Sequence, residues 1–136
     1  MTRPPAKTVP AWRTRTALEH ARRGETVIII VDRAEHAGEI MTELDLHKRA
    51  PGEILTGRRT GRQGLDHTRT GGSIRFHVAG GTGLRGYAGV DLFLVDPRVA
   101  TSTQLEEDMA LACRDVTGTI VRPGDQLTVG QIAGVR

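Results

Sequence analysis

The fold is decided by TVIIIVDRAEHAGEIMTEL, from Thr26 to Leu44. Thr26 to Val31 is an unbroken run of β-branched residues. Such a run suits a strand covered on both faces, as in a parallel sheet, because a strand with one wet face would alternate. Asp32, with Glu35 three positions later, resembles a capping box with Asp in place of Ser or Thr. After it Ala37, Ile40, Met41 and Leu44 repeat at i, i+3, i+4 and i+7, the spacing of one helix face. A buried strand that turns directly into an amphipathic helix is the unit of an α/β protein.

Upstream, Ala11 to Arg23 is helical in pattern, with Ala11/Leu18 and Ala17/Ala21 in register and Gly24 as the stop. Residues 1–10 are Pro-rich and basic, and read as a loose arm. Downstream, Ile54-Leu55 reads as a brief strand. From Gly57 to Gly72 all periodicity is lost, and Arg58, Arg59, Arg62 and Arg69 stand among five glycines. Ser73 to Val78 alternates, with Ile74, Phe76 and Val78 on one face and Arg75 and His77 on the other. A Gly-rich loop, Gly80 to Gly89, leads to the apolar strand Leu92 to Val95. Thr103 and Glu106 form a second capping-box pair ahead of a helix bearing Leu105, Met109 and Ala112. Thr119 to Val121 is a last strand, ended by Pro123-Gly124. The tail, 126–136, reads as one short strand or a frayed end. The expected fold is thus an α/β, three-layer sandwich with a largely parallel sheet, a single domain over 11–125.

The 136 residues carry 19 Lys+Arg against 16 Asp+Glu, a net charge of +3, with 38% hydrophobic and 26% charged residues. That apolar share exceeds what a disordered chain carries, and no apolar run approaches the roughly 20 residues a membrane span needs. The start, MTRPPAKTVPAW, lacks the apolar core of a secretory signal. One cysteine, Cys113, excludes an internal disulfide framework and a thiolate zinc site. A soluble, cytoplasmic protein is expected. Only Lys7 and Lys48 are lysines; the other basic residues are arginines. High-GC coding produces this bias, and so does recognition of phosphate, which the planar guanidinium fork serves better than a point charge.

Two segments, ETVIIIVDRAEHAGEIM and GSIRFHVAGGTGLRGYAGVDLFLVDP, resemble the ATPase domain of phage terminase large subunits over about 11–100. The first is similar to the strand and helix after that family's phosphate loop. The second is similar to the stretch ending in its Walker B strand, where a Gly/Arg-rich loop precedes an apolar strand and an Asp-Glu pair. The resemblance implies a P-loop-NTPase-like core, with Asp96 at the Mg²⁺-side aspartate. The departures are decisive for chemistry. A phosphate loop needs G-x-x-x-x-G-K-[ST] so that backbone N–H groups surround the phosphates. Here Lys7-Thr8 follows Pro-Pro-Ala and Lys48 precedes Arg49, so neither fits. Pro97 stands where the family has its water-activating Glu. The core is therefore read as lacking its phosphate loop, Asp96 as a vestigial Walker B residue, and ATP hydrolysis is not expected.

Other motifs have structural explanations. Gly81-Thr82-Gly83-Leu84-Arg85-Gly86 matches G-x-G-x-x-G, but only Tyr87 to Val90 separate it from the next strand, leaving no helix to meet a pyrophosphate. His20, His36, His47, His67 and His77 show no H-x-x-x-H pair, and no metal or cofactor is expected. Glu35, Glu39 and Glu43 form an acidic stripe that reads as an exposed face. Cys113 reads as a buried structural thiol on the last helix. Ser73 and Ser102 fit a strand start and a helix cap.

What remains is the arginine loop, in which Arg58, Arg59, Arg62 and Arg69, with His67, are expected to face solvent. Mobile guanidinium groups without aromatic neighbours suit sequence-independent binding to the DNA backbone. Arg85 is a further candidate, and Arg75 and Tyr87 are secondary ones. The expected function is a non-catalytic phage-type DNA-binding module. The alternatives are a protein–protein interaction or inhibitor module docking on a phage or host protein, and a residual nucleotide-binding domain completed by another chain. Open sheet edges would also allow pairing with a second copy.

Overall fold

The computed structural model describes residues 11–47, 49–56, 63–81, 84, 87–114 and 118–122, with side chains from Thr14 onward. The elements are α1 (Ala11–Arg22), β1 (Thr26–Val31), α2 (Ala34–Asp45), β2 (Glu53–Thr56), β3 (Gly64–His67), β4 (Ser73–Val78), β5 (Leu92–Val95), α3 (Thr103–Ala112) and β6 (Thr119–Val121). They build one six-stranded sheet in the order β2-β3-β4-β1-β5-β6. β4, β1, β5 and β6 are parallel, and β3 is antiparallel to both β2 and β4.

The β-branched run lies in the centre of this sheet, and both its faces are covered. Val27, Ile29 and Val31 pack with Ala17, Leu18 and Ala21 of α1 and with Ala37, Ile40, Met41 and Leu44 of α2. Ile28 and Ile30 turn to the other side and pack with Phe93, Val95, Leu84 and, from α3, Leu105 and Met109. Helices therefore cover both faces of a largely parallel sheet, an α/β sandwich. Each fully buried Ile or Val contributes about 1.5–3 kcal/mol relative to exposure, so β1 is the densest source of hydrophobic stabilisation in the chain.

The crossovers are consistent. From β1 the chain passes over the α1/α2 face to reach β4. From β4 it returns across the opposite face, through Leu84 and Val90, to β5, and continues on that face through α3 to β6. Leftward moves use one face and rightward moves the other, so all three connections share one hand, as parallel crossovers do.

Several local expectations are corrected. The stretch from Gly57 to Gly72 is not one loop, because β3 occupies its middle. Of β3's four residues Gly64, Leu65 and His67 are buried, and a Cβ on Gly64 would stand 2.4 Å from the Ile74 carbonyl oxygen. A strand with one large apolar residue leaves no alternation to read. His67, expected in solvent, is buried and accepts from the Thr70 N–H at 3.3 Å through Nδ1. Asp32 does not cap α2: Arg33 is the N-cap, with no side-chain bond. In α3 the cap is Ser102, whose hydroxyl oxygen accepts from the Leu105 N–H at 3.1 Å. Thr103 and Glu106 form no box; Glu106 instead pairs with Arg122. Cys113 stands just past α3 as its C-cap, half-buried, and forms a bridge with Val90. The tail expected as strand over 126–136 and the arm over 1–10 lie outside the described residues.

Candidate functional site

In open α/β sheets ligands enter at the carboxyl ends of the parallel strands, where neighbouring connections diverge to opposite faces. Here β1 sends its chain to one face and β5, its neighbour, to the other. At this divergence stand Asp32 and Arg33 after β1 and Asp96, Pro97 and Arg98 after β5, with Glu39 and His36 of α2 reaching Arg98 and Asp96.

Asp96 is the centre of this group. Its backbone N–H donates to the Ile30 carbonyl at 2.9 Å, and its own carbonyl accepts from Val99 at 2.9 Å. Pro97 thus sits at the second position of a four-residue turn, where its fixed φ is favoured. The turn folds Arg98 back onto Asp96. Oδ1 accepts from the Arg98 backbone N–H at 2.8 Å and from Nε at 3.0 Å, while Oδ2 accepts from Nη2 at 2.8 Å. The Arg98 Nη1 reaches across to Glu39 Oε1 at 2.8 Å. The Asp96 side chain is wholly excluded from solvent. Burial alone would raise its pKa, but the Arg98 hydrogen bonds, the Arg98 charge and the nearby His36 together hold it below the usual carboxylate value. Arg98 is correspondingly held charged, chiefly by its bonds to Asp96.

Chemically, the carboxylate at the end of β5 is closed by its own chain. Both oxygens are engaged by one guanidinium in a forked pair, the strongest geometry such a pair adopts. A divalent cation would have to displace Arg98 to reach them. Glu39, one member of the acidic stripe expected to be unpaired, is the outer end of this strut. His36 beside it has a buried Nδ1 with no hydrogen-bond partner. Arg98, Glu39 and His36 were not legible as one group. The only sequence signal was the order Asp96-Pro97-Arg98, a turn residue between two opposite charges.

His77, near the carboxyl end of β4, is buried, bonded to the Gly81 backbone and within reach of the Asp108 charge on α3. Burial, the dominant influence, pushes its pKa down from the usual histidine value. His47 also has a tertiary partner, Thr14 Oγ1, at 3.1 Å. Among the described residues no three His, Cys, Asp or Glu side chains are grouped as a metal ion would need, and no helix is long and apolar enough to cross a membrane.

Arg58, Arg59, Arg62 and Arg85 lie outside the described residues. Their segments nevertheless join the sheet at known points. Segment 57–62 connects Thr56 to Gln63, and Arg85 lies between Leu84 and Tyr87 in the connection that leaves β4. Thr56 faces Gly64 and Gly64 faces Arg75, so both connections leave from the carboxyl edge. Arg69 does not share that edge. It is exposed in the turn from β3 to β4, at the amino edge, and β3 separates it from Gln63 by on the order of 10 Å of strand. Arg69 thus stands at the opposite end of the sheet from Thr56 and Gln63, the described residues that flank segment 57–62. Arg75 and Tyr87 border a groove beside β4, on the carboxyl side.

Comparison of the chain with protein-family models, with curated proteins and with solved structures finds no match.

Proposed function

We propose that this protein is a non-catalytic binding module built on a terminase-like, P-loop-NTPase-like core without its phosphate loop, and that it takes the phosphate backbone of DNA at the carboxyl edge of its sheet. One observation carries the non-catalytic half: the carboxylate at the end of β5 is sealed by Arg98 and Glu39. A motor of the family that the sequence resembles needs that carboxylate open to Mg²⁺ and a glutamate where Pro97 stands. The DNA half is supported by the attachment of both Arg58/Arg59/Arg62 and Arg85 to the same edge. Each guanidinium there would make a charge-assisted phosphate contact and release counterions.

The test is the salt dependence of duplex affinity. Replacing Arg58, Arg59, Arg62 and Arg85 together by Ala is expected to weaken binding alike for all sequences. Each lost phosphate contact flattens the log–log salt slope by about 0.9, so the combined change should approach 3 to 4 units (~0.9 per contact). Arg69→Ala, on the opposite edge, is expected to leave the slope unchanged. An unaltered slope in the fourfold variant overturns the DNA reading. Mg²⁺-dependent triphosphate turnover by the purified protein overturns the non-catalytic one.

A further inference from the structure

We draw no further inference here: the strongest candidate, the groove beside β4 between α2 and Tyr87, is lined by Gln63, Arg75 and Phe76 with nothing in the structure to show what covers it.

Discussion

Two buried carboxylates, each gripped by an arginine, stand at opposite ends of the sheet. At the amino edge Glu53 is held by Arg22, with Nε on Oε2 at 2.6 Å and Nη2 on Oε1 at 3.2 Å, and by the Ala50 N–H at 2.8 Å. At the carboxyl edge Asp96 is held by Arg98. The bonding is nearly the same, but the separation along the chain is not. Arg22 and Glu53 are 31 residues apart and join the end of α1 to the start of β2, whereas Asp96 and Arg98 are two residues apart. The first pair forms only once the chain has closed a long loop, and so it fastens topology. The second forms within a single turn and shapes a loop. Around Glu53 the chain is buckled down: Thr70 donates its hydroxyl to the Ala21 carbonyl, and His20 and Arg23 both pair with Glu25. Around Asp96 the contacts among the described residues are fewer: Arg98 alone holds the carboxylate, and Glu39 holds Arg98. The difference teaches which end is fastened across long stretches of chain and which is shaped locally.

The largest effect should come from the buckled end. A Cβ added at Gly72 would lie 1.8 Å from the Ala21 carbonyl oxygen, backbone against backbone. Relief requires α1 to lift from the β3–β4 turn. Gly72→Ala is therefore expected to cost about 4 kcal/mol or more, in the exceptional range for one substitution, seen as a collapse of the urea midpoint. A loss below about 1 kcal/mol, ordinary for an exposed site, would show this end to be loosely fastened after all.

Next come the two clamps, each cut from the arginine side. Arg22→Ala and Arg98→Ala each strand a buried carboxylate, which costs about 3–5 kcal/mol when a pair is fully buried and less here because both arginines are partly exposed. The long-range pair is expected to lose about 3 kcal/mol and the local pair about 2 kcal/mol. Chemical denaturation of the two variants side by side gives the ranking. A reversed order would make the local turn the stronger tie.

The smallest effect is acid sensitivity, and it should begin at the carboxyl end. Burial holds His77 below its usual pKa of 6.5, so the unfolded chain takes up this proton first and stability falls as pH drops below about 6.5. Glu53 and Asp96 behave otherwise. Burial pushes each upward, but the arginine bonds outweigh it and hold each below its usual 4.5 and 3.8. Their contribution is intact above those values and is lost only as pH falls through the lower folded ones. Hydrogen exchange at pH 5.5 should therefore quicken first in β4 and the Ala79–Gly81 turn. His77→Gln should remove that early phase. Simultaneous loosening at both ends would erase the distinction.

Much of the fold was legible because the signals were periodic. The run from Thr26 to Val31 could satisfy no environment but one buried on both sides, and Ala37, Ile40, Met41 and Leu44 could share only one helix face. All four are buried. β3 was illegible for the opposite reason, since its place is set by pairing with β2 and β4 rather than by apolar alternation. The capping boxes were misplaced by one residue at Thr103 and failed at Asp32. Both contain the right residue types, and which one caps depends on where the backbone leaves the extended region. Asp96 was singled out through a resemblance, whereas the tie from Arg98 to Glu39 was not legible, because a salt bridge spanning 59 residues has no local pattern.

The linear chain by itself determined the alternation of strands and helices and the faces that must be dry, since burying apolar area is a matter of composition and period. Only the three-dimensional arrangement decided that Asp96 is closed, that β3 divides the Gly57–Gly72 stretch, and that Arg69 stands at the amino edge of the sheet. Those outcomes depend on which distant segments become neighbours. Neighbourhood is settled by how sheet and helices pack, not by the order of the residues.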